Sequence, residues 1–176
     1  MNDRRHTAFH EAGHAVIGRA MAQLCDGVTI EPDEEAGEAG FAICFDHWMT
    51  MSVWDQLGRW RDRSSIVLGR IITYMAGRAA EEELLGYCEG GDGDDQFQIE
   101  MMLETIGRDD DPGFRARLVA MTRMLVRRHT RTIEAVAAAL LDRGKLDRSA
   151  IASLIPFTSL GHDMEGRSVL LLPAGC

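Results

Sequence analysis

The stretch His10-Glu11-Ala12-Gly13-His14 spells H-E-x-x-H within a run of small and apolar residues that includes Ala8, Phe9, Ala15, Val16, Ile17, Ala20 and Met21. This combination constrains the fold more than any other feature of the chain. The apolar flanks predict a mostly buried helix, capped by Asn2 or Asp3 and running to about residue 24. Positions four apart share a helix face, so His10 and His14 can each aim a ring nitrogen at one metal ion. Glu11, one step from His10, can address a water in the open position of that ion. A metal lowers the pKa of such a water, and a carboxylate takes its proton as it attacks a peptide carbonyl. The bland alternative is a helix with two incidental histidines. It fits poorly, because buried polar groups without partners are costly, and an apolar helix carrying three of them needs polar neighbours or a metal. Ala12 and Gly13 are small enough for another element to approach closely. His6 extends the ladder, but it lies two turns from His14, roughly 12 Å by helix rise, too far to share an ion comfortably. It reads as a residue behind the ligands or on the surface.

The chain has 176 residues and a formal net charge of −9. The length suits one domain, placed at residues 1–157, followed by a tail at 158–176 with an apolar patch, Val169-Leu170-Leu171-Leu172. The acidic balance argues against nucleic acid as the main partner. No apolar run approaches a membrane span, and the N-terminus shows no leader peptide. Cys25, Cys44, Cys88 and Cys176 form no C-x-x-C pair and no disulfide framework. The expectation is a cytoplasmic protein with reduced thiols and no membrane contact.

Along the chain, residues 27–32 read as a strand stopped by Pro32, residues 33–38 as a solvated acidic turn, and residues 40–45 as a second strand, together a hairpin. Residues 47–63 hold Trp48, Trp54 and Trp60 and read as an irregular or partly helical cover. Ser64 or Ser65 opens a helix over residues 66–85 whose middle is small and close-packing. Residues 96–106 are helical again, and residues 109–113 form a turn with a proline stop. A helix over 114–128 is expected to turn Leu118, Met121, Thr122 and Leu125 inward. Another runs over 132–142 to Gly144, and a short one capped by Asp147 reaches Ile155.

A catalytic zinc usually has three protein ligands, so one is missing from the motif. The metzincin arrangement would need Gly at 17 and His at 20, where the chain has Ile17 and Ala20. Glu31, Glu34, Glu35 and Glu38 are candidates by spacing, and so are Asp94 and Asp95 at the opening of the helix expected near Gln96. Four blocks in order now resemble the FtsH-type zinc metallopeptidases, the proteolytic half of membrane-bound AAA proteases. They are the string from His10 to Ala15, Val28-Thr29-Ile30 followed by Pro32, the run from Ala76 to Glu82, and the glycine-rich turn Gly91-Asp92-Gly93-Asp94-Asp95. The resemblance covers residues 5–155. It implies zinc (Zn2+) bound by His10, His14 and Asp95, with Glu11 as general base. It also implies a mainly α fold, a helical zincin-like domain with a small β-hairpin after the first helix. Asp94 stands where the family usually has asparagine, which keeps Asp94 in play as the third ligand. Glu81 or Glu82 is a candidate to orient a ligating histidine.

The chain departs from the family in having no G-x-x-x-x-G-K-[ST] phosphate loop and no membrane anchor. The expectation is therefore a peptidase domain without the ATPase, acting on flexible or unfolded polypeptide alone or with a separate unfoldase. A homo-oligomer is compatible with this reading. The rival class is a zinc-binding, peptidase-like interaction or regulatory module, which would have no need of Glu11.

Overall fold

The protein is described from a computed structural model covering residues 3–21, 23, 25–32, 40–44 and 63–156. The 47–63 cover with its three tryptophans lies outside these residues apart from its last position, and the 158–176 tail lies wholly outside them. Helix α1 spans Arg4–Ala20, and the Asp3 side chain accepts from Arg5 N at 3.0 Å to cap it. It stops before the expected residue 24. Met21 N bonds back to the Ile17 and Gly18 carbonyls, and Gln23 N reaches Gly18 O at 2.9 Å. This turn closes the helix and redirects the chain into a strand.

The sheet has strands β1 (Cys25–Thr29), β2 (Phe41–Cys44) and β3 (Lys145–Asp147), in the order β2-β1-β3 with both pairings antiparallel. The expected hairpin is present, with Val28 opposite Ala42 and Thr29 opposite Phe41. Its first strand begins two residues earlier than expected, and an irregularity between Cys25 and Gly27 accommodates the shift. Strand β3 was not foreseen. Three residues are too few to show an alternating pattern, and only the ladder Val28–Leu146 identifies them as a strand. Gly144, at φ 76°, makes the turn into β3, and its carbonyl accepts from Ile30 N at 2.8 Å.

The remaining helices among the described residues are α2 (Arg63–Leu84), α3 (Gly93–Thr105), α4 (Pro112–Arg128), α5 (Thr130–Arg143) and α6 (Arg148–Leu154). The protein is mainly α, as expected. Two boundaries need correcting. Helix α3 starts at Gly93, so Asp94 and Asp95 lie inside its first turn rather than ahead of it. Pro112 starts α4 instead of stopping the chain: Asp111 caps the helix by accepting from Phe114 N at 2.8 Å, and a proline at the first position gives up only an N–H that would have had no helical partner. The buried face of α4 is also turned from the expected one. Leu118, Thr122 and Val126 are buried at strict i+4 spacing, Leu125 is half-buried, and Met121 is 39% exposed.

Helices α1 and α2 cross at small residues. A Cβ on Gly13 would stand 2.6 Å from the Ala76 carbonyl oxygen and 2.9 Å from Ala80 Cβ, so only glycine allows this approach. Around that crossing Ile17, Ile71, Ile99, Leu103, Ile133, Leu140, Leu146, Ile151 and Ile155 are fully buried, each worth roughly 1.5–3 kcal/mol on removal from water. The outer seam between α2 and α4 is ionic, with Glu82 meeting Arg123 at 2.5 Å and Glu83 meeting Arg127 at 2.6 Å. Pairs this exposed contribute at most about 1 kcal/mol each, so the apolar core holds the helices together.

Candidate metal centre and cleft

The α1–α2 crossing places the histidines of the motif against the small-residue stripe of α2. His14 Nδ1 lies 2.7 Å from the Thr73 carbonyl and His10 Nδ1 lies 2.7 Å from Glu81 Oε1. Both partners can only accept, so each Nδ1 carries a hydrogen, and a metal that displaces the proton on Nε2 meets that atom's lone pair. Those two Nε2 atoms converge on one oxygen, Asp95 Oδ2, at 3.0 Å from His10 and 3.1 Å from His14. Asp95 reaches them from the first turn of α3.

Gly77 lies beside both rings. A Cβ there would come within 2.5 Å of His10 Nε2 and of His14 Nε2, so the space next to the donor atoms depends on a glycine.

Glu81 is 2% exposed and gathers four donors. His10 Nδ1 and His6 Nδ1 donate at 2.7 and 2.8 Å, Glu89 N at 3.1 Å and Cys88 Sγ at 3.4 Å. Burial would push this carboxyl up, but the bonds from His10, Glu89 N and His6 hold it below the usual carboxylate range. The same competition governs the other members. Burial would push His10 down, yet the Asp95 and Glu81 carboxylates raise it from 6.5 to about 10. His14 is likewise raised against its burial, chiefly by Asp95. Asp95, despite burial, is held well below its usual range by His14 and His10.

Among the described residues His10, His14 and Asp95 form the one group of three or more side chains with metal-ligand spacing, their donor atoms all within 4.8 Å of one another. The donor set suits zinc: two imidazole nitrogens and a carboxylate oxygen, where tetrahedral bonds of about 2.1 Å would set ligand atoms roughly 3.4 Å apart. The space beside Gly77 fits the same purpose. The centre opens into a cleft of about 490 Å³, walled by Phe41 and Ala42 of β2, by Arg70, Thr73 and Tyr74 of α2, and by Asp94 and Gln98 of α3. Glu11 lines it and is 6% exposed.

Of the sequence candidates, His10, Glu11, His14 and Asp95 come together. Asp94 lines the cleft but is not part of the converging group. Glu31 packs at Gly144, and Glu34, Glu35 and Glu38 lie outside the described residues. Glu81 serves His10 and His6, whereas Glu82 pairs with Arg78 and Arg123. His6 is buried behind the centre on the second Glu81 oxygen. The parts sequence reasoning missed are the Thr73 carbonyl, which any residue type supplies, and the role of Gly77, whose signal was its place in a run of small residues.

No protein-family model matches the chain. Part of the chain is similar to ATP-dependent zinc metalloproteases. It is 35% identical over 89 residues to the protein FtsH of Mycoplasma genitalium, a match covering 49% of this chain and 11% of that one. It is 38% identical over 82 residues to the ATP-dependent zinc metalloprotease FTSH 7, chloroplastic, of Arabidopsis thaliana, covering 46% and 10%. The FtsH of Malacoplasma penetrans matches at 30% over 84 residues, covering 47% and 9%. The similarity thus spans about a tenth of the length of these relatives. No helix among the described residues is long and apolar enough to cross a membrane.

Proposed function

We propose that this chain carries a zinc-dependent endopeptidase site, with His10, His14 and Asp95 as the metal ligands and Glu11 as the general base. The observation that carries the reading is the convergence of the two Nε2 atoms on Asp95 Oδ2 beside a buried glutamate. The partial similarity to proteins named zinc metalloproteases supports it.

Zinc held by these residues would supply Lewis acidity, polarising a peptide carbonyl and bringing the pKa of water toward neutrality. The chain's own groups prepare that chemistry. Glu81 and the Thr73 carbonyl hold a proton on Nδ1 of His10 and His14 and orient the ring planes, which leaves the Nε2 lone pairs for the metal. Asp95 offsets part of the added positive charge. Glu11 takes a proton from the attacking water and returns it to the leaving amine nitrogen. The cleft has room for a short stretch of extended chain and none for a folded domain, so the substrate class is flexible or unfolded polypeptide. Because the relatives are named ATP-dependent, a separate ATPase that unfolds and delivers substrate is the partner this reading calls for.

The test is hydrolysis of denatured casein by the zinc-loaded protein and by Glu11→Gln. Cleavage by the first, lost in the second and on chelation, supports the reading. If neither cleaves it, and neither cleaves short unstructured peptides, while both bind zinc, the site belongs to a binding module instead.

A further inference from the structure

We propose that the Tyr74 hydroxyl is a substrate-binding group, donating its hydrogen to a backbone carbonyl of the polypeptide held in the cleft. The choice of a polypeptide as ligand rests on the peptidase reading above.

Among the described residues, the hydroxyl side chains lining the cleft are Thr7, Thr73 and Tyr74. Thr73 Oγ1 donates to the Gly69 carbonyl at 2.8 Å, and Thr7 Oγ1 donates to the Asp3 carbonyl at 3.5 Å. Both hydrogens are spent on carbonyls one turn back along the chain. Tyr74 differs. A guanidinium can only donate, so in its 3.0 Å contact with Arg70 Nη2 the tyrosine oxygen is the acceptor. Its own hydrogen remains, and it meets no acceptor among the described residues.

The hydroxyl is held in place. The half-buried ring packs on the core, and the Arg70 guanidinium lies over it at 4.4 Å from the centroid. Arg70 Nη1 donates to Gln23 Oε1 at 3.3 Å, so the arginine is committed to the protein and acts through the tyrosine. A cation donating to the oxygen polarises the O–H and strengthens it as a donor. The other walls call for such a donor. Glu11, Glu81, Asp94 and Asp95 line the same space, and as carboxylates they only accept. They can meet the N–H groups of an extended chain but not its carbonyls, and a carbonyl buried without a donor is costly.

Position adds a distance rule. Tyr74 precedes Gly77, which lies beside both Nε2 atoms, by three residues, roughly 4.5 Å along the helix axis. Long helical side chains lean toward the N-terminus, and this one reaches back to Arg70, roughly 10 Å from Gly77 by the same rise. An extended chain rises about 3.3 Å per residue, so the recognised carbonyl sits about one to three residues from the bond held at the metal centre. The hydroxyl binds the substrate's flank rather than the oxygen of the bond being cut.

The alternative is a purely structural hydroxyl that only seats Arg70. The two roles separate with Tyr74→Phe, which keeps the ring, in a binding experiment on zinc-loaded Glu11→Gln, which cannot consume its ligand. Fluorescent peptides of one unstructured sequence are titrated into it. At each position in turn the peptide bond is replaced by an ester, which loses the N–H and keeps the carbonyl, or by a trans-alkene, which loses both. At one position near the centre the alkene is expected to bind roughly five-fold weaker than the ester, the order that one neutral hydrogen bond contributes. In Glu11→Gln/Tyr74→Phe the parent peptide should bind roughly five-fold weaker, and ester and alkene should bind alike at that position. A variant that weakens every peptide equally and keeps the difference overturns the proposal. So does a Glu11→Gln protein that binds no peptide or shows no such position. With Glu11 intact, Tyr74→Phe should raise KM and leave kcat near the wild-type value. Wild-type protein that binds these peptides and cleaves none would sink the peptidase reading, while the binding comparison would still decide the role of Tyr74.

Discussion

Gly77 faces His10 so closely that a methyl group on its Cα would stand 2.5 Å from the imidazole Nε2, and as close to that of His14. One side chain there would press on both nitrogens that the proposed ion needs. Gly77→Ala is therefore expected to weaken zinc binding by more than the roughly 10–100-fold that loss of a supporting hydrogen bond costs. Competition against a fluorescent chelator measures it, and an alanine variant with wild-type affinity would remove the metal from this place. Gly13→Ala tests the crossing itself. Its Cβ meets the Ala76 backbone, which cannot swing aside, so the cost should appear as about 1–3 kcal/mol of lost folding stability from overpacking.

Asp95 and Asp94 are neighbours in the first turn of α3, yet only Asp95 reaches both imidazoles. Asp95→Asn should lose stoichiometric zinc, and Asp94→Asn should retain it. Metal content after gel filtration distinguishes them. The reverse pattern would move the third ligand to Asp94.

Glu81 and Glu82 are adjacent in sequence and differ in burial and partners. Glu81→Gln disturbs a 2%-exposed group that receives both His6 and His10, so zinc affinity should fall by about 10–100-fold. Glu82→Gln affects only the Arg78 and Arg123 pairs on the outer seam. Its zinc affinity should stay at the wild-type value, and its stability should change by no more than about 1 kcal/mol.

The metal-free and zinc-loaded forms should respond to pH in opposite directions. In the metal-free protein His10 is raised from 6.5 to about 10 by Asp95 and Glu81 against its burial. A raised pKa means the folded state holds the proton more tightly, so this stabilisation is complete below about 6.5 and is lost as pH rises toward 10. Asp95 is depressed, so its contribution is present above its ordinary 3.8 and is lost as pH falls further. These two groups place the stability maximum of the metal-free form between about pH 4 and 6.5. Zinc must displace protons from the imidazoles, so its affinity should rise with pH over the range in which the metal-free fold weakens. Thermal melts with and without zinc across pH 5–9 check both trends. A metal-free melting temperature that climbs steadily through pH 8 would contradict the assignment.

Much of the fold was legible because local signals agreed. The apolar run around His10 announced α1, Gly144 and Asp147 marked the end of α5 and the start of α6, and the two short strands showed as a hairpin. The failures share one cause. Pro112 was read as a stop because proline breaks a helix interior, and only the Asp111 cap shows that it stands at a start. Met121 was turned inward because several rotations of the α4 stripe are equally apolar, and contacts with α2 select Leu118, Thr122 and Val126. Strand β3 exists because β1 offers it a ladder.

The centre divides along the same line. Helix geometry alone puts His10 and His14 on one face of α1 with Glu11 a step along, since the three are four residues apart at most. Tertiary contacts alone set Asp95, rather than Asp94, against both imidazoles, gave Glu81 rather than Glu82 to His10, and laid Gly77 beside both Nε2 atoms. Those partners lie 59 to 85 residues from the motif for Thr73, Glu81 and Asp95, and helix periodicity carries no information across such separations. What brings them together is the close crossing of α1 and α2 at Gly13 and Ala76, a packing event that no local pattern encodes.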